Sequence, residues 1–266
     1  MLTLKGGDMK IKVLGCSGSE MPNLSPPAYL VDGRILLDAG TIASALNENA
    51  QAKIAHILIT HSHLDHLRGI TSLADNMLAR NQEHKINIIA TKEILNIIKE
   101  NIFNNSIWPD FTNIPPKNPI LRLRTIEIGR EYKINSYKVK AENVTHSVSS
   151  VGYLIKGLDG KILLYTGDTG QTEDFWKMAN IQSRAHAIDG LIIEVTFPNS
   201  MKDLAFTTKH LTPAMFFEEL KKLKQPPKKI FITHLKSQFS DIITRELHDL
   251  KIKQITVLKE GKSYFI

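Results

Sequence analysis

The segment Thr60-His61-Ser62-His63-Leu64-Asp65-His66 gathers three imidazoles and a carboxylate within one short stretch. Imidazole nitrogens and carboxylate oxygens are the ligands zinc takes when no thiolate is on offer. A sharp loop after a strand can aim His61 and His63 at one ion while Asp65 and His66 face another. The competing reading is a surface loop with chance histidines. An apolar run before the loop and a helical pattern after it argue against that. One loop cannot complete two coordination shells, so further donors must come from later in the chain. Three candidates each follow an apolar run: His146, Asp168 in Thr166-Gly167-Asp168-Thr169, and His234 in Thr233-His234-Leu235. A carboxylate such as Asp168 can bridge two cations and lower their mutual repulsion. The expected cofactors are two divalent metal ions, zinc first, with Mn2+ or Fe2+ as alternatives.

The elements that must position these side chains follow from hydrophobic periodicity. Residues 53–60 read as a strand of the kind buried on both faces. From Leu67 the recurrence of Leu67, Ile70, Leu73, Met77 and Leu78 predicts a helix. Strands are expected over 10–14, 28–31, 35–37, 85–90, 121–128, 132–144, 151–155, 161–165, 190–195, 229–232, 254–258 and 263–266. Helices are expected around 94–102, 174–183, 212–224 and 241–250. Thr212 is the expected N-cap of the third of these, with Pro213 at its first position. The stretch 104–118, with Trp108, Pro109, Pro115 and Pro116, reads as irregular. Mostly-β halves each finished by helices predict an α/β, αββα four-layer sandwich.

Composition narrows the rest. The chain has 266 residues, no low-complexity linker and no repeat, which predicts a single domain over 1–266 with 1–8 as a disordered extension and Met9 as a second start. Its one cysteine, Cys16, excludes an intramolecular disulfide framework and a Cys-rich zinc site, and reads as a small buried residue. No leader sequence and no run of 18 apolar residues is visible, so a cytoplasmic protein without membrane spans is expected. The net charge of +7 suits an anionic substrate. The lysines are dispersed, and the densest group, Lys221, Lys222, Lys224, Lys228 and Lys229, reads as a solvated face.

The ligand pattern resembles that of the metallo-β-lactamase superfamily: a His-x-His-x-Asp-His loop, then His, Asp and His, matched here from Asp38 to His234. The resemblance implies an αββα sandwich with a dinuclear site, usually zinc, at one edge. Carried over residue by residue, it implies that His61, His63 and His146 hold one metal. Asp65, His66 and His234 hold the other, and Asp168 bridges. Asp38, in Ile35-Leu36-Leu37-Asp38, matches an acid that orients the loop.

Within the superfamily, absences select a branch. A long helical tail as in glyoxalase II-like thioesterases, a large insertion before the last histidine, and the protruding arm usual in tRNA 3′-processing nucleases all lack room here. What remains resembles class II 3′,5′-cyclic-nucleotide phosphodiesterases. Their loop is similar to His61–Ile70, and their Gly-His-Leu-Ser/Thr-Pro segment to Lys209-His210-Leu211-Thr212-Pro213. The departures are Lys209 for glycine, Val195 where a cysteine is common, and Thr71-Ser72-Leu73 within the loop signature. The function this implies is hydrolysis of a cyclic nucleotide to its 5′-monophosphate, with a metal-bridging hydroxide attacking phosphorus. Asp65, His210 and Glu194 are the expected catalytic residues: Asp65 orients the nucleophile, His210 steadies or protonates, and Glu194 orients His210.

The alternatives are a nuclease resembling the tRNA 3′-processing enzymes and a non-catalytic metal-binding sensor. The expected partners are a small cyclic nucleotide, with nucleic acid second, and a second copy of the chain as a homodimer. Trp108 and Phe111 are candidates for a wall against the base, with core packing as the competing reading. His56 reads as a satisfied interior residue, and His84, His186 and His248 as solvent-facing.

Overall fold

The computed structural model describes residues 8–80, 83–184 and 186–266. Among the described residues fourteen strands form two seven-stranded sheets. The first sheet holds β1 (Lys10–Gly15), β2 (Ala28–Val31), β3 (Ile35–Leu37), β4 (His56–Leu58), β5 (Ile86–Ala90), β6 (Leu121–Thr125) and the last strand, β14 (Ser263–Phe265). The second holds β7 (Glu131–Ile134), β8 (Tyr137–Asn143), β9 (Val151–Lys156), β10 (Ile162–Tyr165), β11 (Gly190–Glu194), β12 (Lys229–Thr233) and β13 (Ile255–Val257). The helices are α1 (Glu48–Gln51), α2 (Leu64–Leu67), α3 (Gly69–Arg80), α4 (Lys92–Asn101), α5 (Asp174–Ser183), α6 (Lys202–Thr208), α7 (Pro213–Lys221) and α8 (Ser240–Asp249). Two mixed sheets packed face to face with helices outside make the expected αββα sandwich.

Each sheet is antiparallel on one side and parallel on the other. The pairs β3–β4, β4–β5 and β5–β6 are parallel in the first, and β10–β11, β11–β12 and β12–β13 in the second. Parallel strands bring their carboxyl ends to one edge, where open α/β sheets bind ligands. The register does this closely. Leu37 pairs with Leu58 and Glu194 with Thr233, so Asp38 meets Thr60 and Thr196 meets His234 just beyond the ladders.

Between the sheets lies one apolar core containing Ile35, Leu37, Ile57, Tyr153, Tyr165 and Phe231. A second core, with Phe175, Trp176, Leu191, Ile193 and Phe216, fills the space between the second sheet and α5, α7 and α8. Every residue of β10 and β11 is buried, as a strand covered on both faces requires. Burying a side chain of this size contributes about 1.5–3 kcal/mol, which is what holds α5 and α7 against the sheet. Thr212 caps α7, its Oγ1 accepting from Met215 N at 3.3 Å, with Pro213 at the first helical position as expected.

Several details differ from the sequence expectations. The 132–144 run is a hairpin, β7 and β8, turning at Asn135, whose φ of 53° is the left-handed region. The helix expected from Leu67 starts at Leu64 and breaks at Arg68 between α2 and α3. The 53–60 strand shortens to His56–Leu58 because Ile59 and Thr60 already turn toward the loop. Two short helices, α1 and α6, were not expected. Phe111 is buried against Phe103 in the larger core and so walls no substrate, while Trp108 is half-buried and packs on the same core. His84 is half-buried, with Nε2 2.8 Å from Ile54 O, whereas His186 and His248 face solvent as expected. His56 is half-buried, and its Nδ1 has no partner.

Met9 is buried and exchanges backbone hydrogen bonds with Ile266 at 3.2 and 3.1 Å, so the fold includes it. Of the expected extension 1–8, only Asp8 is among the described residues; 1–7 lie outside them. Among the described residues no helix is long and apolar enough to cross a membrane.

Candidate metal centre

The sequence-expected donors come together at the carboxyl edge of both sheets. His61, His63 and His146 converge with Asp168. His61 Nε2 and His146 Nε2 lie 3.1 and 3.2 Å from His63 Nδ1, and His61 Nε2 is 3.9 Å from Asp168 Oδ2. Asp65, His66 and His234 form a second group around the same aspartate. His66 Nε2 is 3.4 Å from Asp168 Oδ1, and His234 Nε2 is 3.3 Å from Asp168 Oδ2 and 3.5 Å from Asp65 Oδ2. Within each group the donor atoms lie within 4.8 Å of one another. Asp168 belongs to both groups, which is the position of a bridging carboxylate.

The first sheet positions its histidines through Asp38, a buried residue with φ 52°. Its carboxylate accepts from Thr60 N and Thr60 Oγ1, both at 2.8 Å, from Tyr165 Oη at 2.5 Å, and from His66 Nδ1 at 2.7 Å. Thr60 Oγ1 in turn lies 3.0 Å from His61 Nδ1. The second sheet does the same with Glu194, which is fully buried. Its Oε1 is 2.6 Å from His210 Nδ1, and its Oε2 accepts from Thr196 Oγ1 at 2.6 Å. Thr196 Oγ1 is 2.9 Å from His234 Nδ1. His146 Nδ1 meets Lys209 O at 3.0 Å. With Nδ1 committed in His61, His66, His146 and His234, each imidazole turns Nε2, as a lone pair, into the cluster; the tautomers are assigned from this network.

The donor set fits two divalent ions. His66 Nε2 and His234 Nε2 are buried nitrogens without a hydrogen-bond partner, the orphaned atoms that an ion would satisfy. Electrostatics agree. Burial pushes the His61 imidazole well down, and the neighbouring His66 adds to it. Burial and His146 lower His63. Burial alone would raise Asp168, but His234 and His66 hold it well below the carboxylate range, and His234 and His66 do the same for Asp65. Burial would lower His66, but Asp168 and Asp38 lift it well above the imidazole range, so the cluster favours positive charge at His66 Nε2, a proton or the cation that would displace it.

His210 sits at the rim, 13% exposed, its ring stacked on His234 with centroids 5.4 Å apart. Burial would lower its pKa, but Glu194 outweighs that and lifts it to about 9. Lys209, standing where the resembling motif has glycine, has φ 59°, the left-handed conformation glycine adopts freely.

Sequence reasoning missed the amino-terminal loop. His234 N donates to Cys16 O at 2.8 Å, Gly18 N donates to Leu235 O at 3.0 Å, and Lys236 Nζ donates to Gly18 O at 2.5 Å. A Cβ on Gly18 would come within 2.3 Å of His234 O, so only glycine allows this approach. The glycine at the end of a strand was the available signal, but its partner lies more than two hundred residues away.

A family model described as the β-lactamase superfamily domain matches residues 33–235. A probable 3′,5′-cyclic-nucleotide phosphodiesterase of Yersinia pestis is 24% identical over 246 residues, covering 84% of this chain and 69% of that protein. A ribonuclease Z of Methanocaldococcus jannaschii is 26% identical over 270 residues, covering 82% of this chain and 83% of its own. The crystal structure of unliganded yeast PDE1 superposes with a TM-score of 0.84 at 18% identity, covering 98% of this chain and all of that one. The short form of human tRNase Z gives 0.71 at 18% identity, covering 96% and 98%.

Proposed function

The chain belongs to the metallo-β-lactamase superfamily, and from that premise we propose that it is a dinuclear metal-dependent phosphodiesterase hydrolysing a 3′,5′-cyclic nucleotide to its 5′-monophosphate. The observation that carries this reading is His210, held by Glu194 at 2.6 Å and stacked on His234 at the rim of the seven-donor cluster. Relatives of both phosphodiesterase kinds support the bond type. The choice of a small substrate rests on the shortness of the chain between His146 and Asp168, which leaves no arm for a polymer.

In this reading His61, His63 and His146 hold one ion, Asp65, His66 and His234 the other, and Asp168 both. The ions, zinc before manganese or iron(II), would supply an activated water and neutralise charge on the phosphoryl oxygens. The residues of the chain do the rest. Asp65, ionised and facing the pocket side of the cluster, accepts a hydrogen bond from the attacking water and fixes its line of approach. Glu194 engages Nδ1 of His210 and leaves Nε2 to meet a substrate oxygen. From there His210 steadies the charge growing on phosphorus and delivers a proton to the leaving 3′-oxygen. Asp38 and Glu194, buried behind the histidines, keep the rings from turning as charge moves. We read the chain as one domain, since the two sheets share a core and the site needs both.

The test is a side-by-side assay of cyclic AMP, cyclic GMP, bis(p-nitrophenyl) phosphate and unprocessed tRNA. Turnover of a cyclic nucleotide to the 5′-monophosphate is expected. Cleavage of tRNA alone would replace this reading by the nuclease one, which the +7 charge favours. Metal binding without hydrolysis of any of the four would indicate the sensor.

A further inference from the structure

One cation beside the metal cluster, Lys236, has no carboxylate partner among the described residues. It follows His234 by two residues, on the loop that leaves the carboxyl end of β12. Its side chain is half-buried, its Nζ donates to Gly18 O at 2.5 Å, and its backbone N–H donates to Thr196 O at 3.2 Å. A lysine ammonium carries three donors, so two remain. Removing a charge from water without a partner costs free energy unless a ligand supplies one. Lys222, also half-buried, shows the usual arrangement, with Glu173 and Glu219 at 2.6 and 2.8 Å. The other lysine at the site, Lys209, is occupied differently: its ammonium lies over the Phe206 ring, 4.7 Å from the centroid.

The place of Lys236 says what could complete it. Gly18, whose carbonyl holds the ammonium, lines a cavity of about 400 Å³ beside Asp65. Gly18 also packs on His234, where a Cβ would lie 2.9 Å from Nδ1. His210 stacks on the same His234 ring. Burial and Lys236 both oppose protonation of His210, against the larger pull of Glu194, so the ammonium is within electrostatic reach of the rim. It therefore neighbours both a wall of the cavity and the rim histidine. The carboxylates of the site, Asp38, Asp65, Asp168 and Glu194, all meet histidines, so none is left for it. An anion brought to the cluster is the partner that remains, and an ammonium suits a phosphoryl oxygen as a point charge.

We propose that Lys236 is a binding residue for the phosphoryl group, its free N–H donors holding a terminal oxygen while Gly18 O fixes the ammonium. The inference rests on the phosphodiesterase reading above, and it concerns how the anion is held rather than which bond breaks. A phosphodiester and the monophosphate it yields both carry the charge that Lys236 lacks a partner for, so the residue acts on binding more than on the chemical step. A phosphoryl group is common to a cyclic nucleotide and an RNA strand, and the experiment has an arm for each.

The experiment titrates the metal-loaded chain with inorganic phosphate and with adenosine 5′-monophosphate by calorimetry. Wild type is compared with Lys236→Arg, Lys236→Gln and Lys236→Met, with bound metal counted and thermal melts recorded for each. KM and kcat for bis(p-nitrophenyl) phosphate, cyclic AMP and unprocessed tRNA are measured alongside. Lys236→Gln and Lys236→Met should bind phosphate at least about tenfold more weakly with metal content unchanged, the size of a lost hydrogen bond to a charged group. KM should rise with kcat little changed, and Lys236→Arg should keep most of the affinity. Added salt should weaken phosphate binding less in Lys236→Gln than in wild type. The glutamine variant separates charge from tether, since it keeps a donor for the loop and loses the charge. Wild-type phosphate affinity in Lys236→Gln, or loss of bound metal in that variant, would overturn the proposal and leave Lys236 as a tether of the amino-terminal loop. A Lys236-dependent phosphate affinity in a chain that hydrolyses none of the three substrates would keep the proposal and overturn the reaction reading. A rise in KM for tRNA alone would keep it and assign the held phosphate to an RNA strand.

Discussion

Thr196 Oγ1 lies 2.9 Å from His234 Nδ1 and passes its own hydrogen to Glu194 at 2.6 Å. Thr60 does the same in the other sheet, between His61 at 3.0 Å and Asp38 at 2.8 Å. Each sheet thus supplies a buried carboxylate that holds one histidine directly, His66 or His210, and another through a threonine hydroxyl. The two halves of the site are built alike because both follow from the carboxyl ends of adjacent parallel strands.

The threonine relay fixes the tautomer of His234. Replacing Thr196 by valine keeps the shape and removes the hydroxyl, leaving His234 Nδ1 unpaired and Glu194 Oε2 with only the Leu211 N–H at 3.2 Å. Affinity for the second ion should fall about 10–100-fold, and serine should restore it. Metal titration followed by calorimetry checks this. Unchanged affinity in Thr196→Val would remove the relay from the account.

His210 touches the substrate side of the site without belonging to either donor group around Asp168. His210→Ala should lower turnover by about two orders of magnitude with both ions retained, as expected for a lost proton donor. Metal analysis beside the rate measurement separates the two effects. Wild-type turnover in this variant would end the role assigned to His210.

Lys209 adopts a left-handed backbone, and what the site uses is its carbonyl oxygen, 3.0 Å from His146 Nδ1. A non-glycine residue there costs about 1 kcal/mol. Lys209→Gly should therefore keep the His146 contact and raise stability by up to about 1 kcal/mol, less the entropy glycine adds to the unfolded chain. Chemical denaturation measures the difference; a clear loss of stability would show that the Lys209 side chain over Phe206 matters more than the backbone strain.

The irregular 104–118 segment is organised by Asp110. Its carboxylate accepts from Lys99 Nζ, from Thr112 N at 3.1 Å and Oγ1 at 2.5 Å, and from Asn113 Nδ2 at 2.6 Å. Burial raises its pKa, but these hydrogen bonds, led by Lys99, outweigh that and lower it. A depressed carboxyl contributes stability that is fully present above its unfolded value, near 3.9, and is lost as pH falls through the folded value. Asp110→Asn should cost about 1–3 kcal/mol at pH 7, and the gap from wild type should close on acidification. Thermal melts across that range test the sign.

Much of the site was legible because its residues announce themselves locally. His61, His63, Asp65 and His66 share one loop, and His146, Asp168 and His234 each follow an apolar run, so strand ends and donor chemistry coincide. Glu194 was legible as the acid end of a strand. The threonine relays, the Gly18–His234 approach and the Lys236–Gly18 contact were not, because each joins common residue types across long stretches of chain. In the fold, the 131–143 hairpin hid in one continuous alternation, interrupted only by Asn135-Ser136. Helix α6 escaped because Ala205 is its one buried residue, leaving no apolar period to read. Phe111 shows the converse: its aromatic type suggested a surface role that burial against Phe103 removes.

In the proposed function, two ions held around Asp168 drive phosphodiester hydrolysis. The most direct measurement of this is turnover of a cyclic nucleotide by the metal-stripped chain as zinc or manganese is added back in known equivalents. Activity should be absent without metal, rise with the ions bound and level off at two per chain. Full activity in the stripped chain, or a plateau at one equivalent, would contradict it.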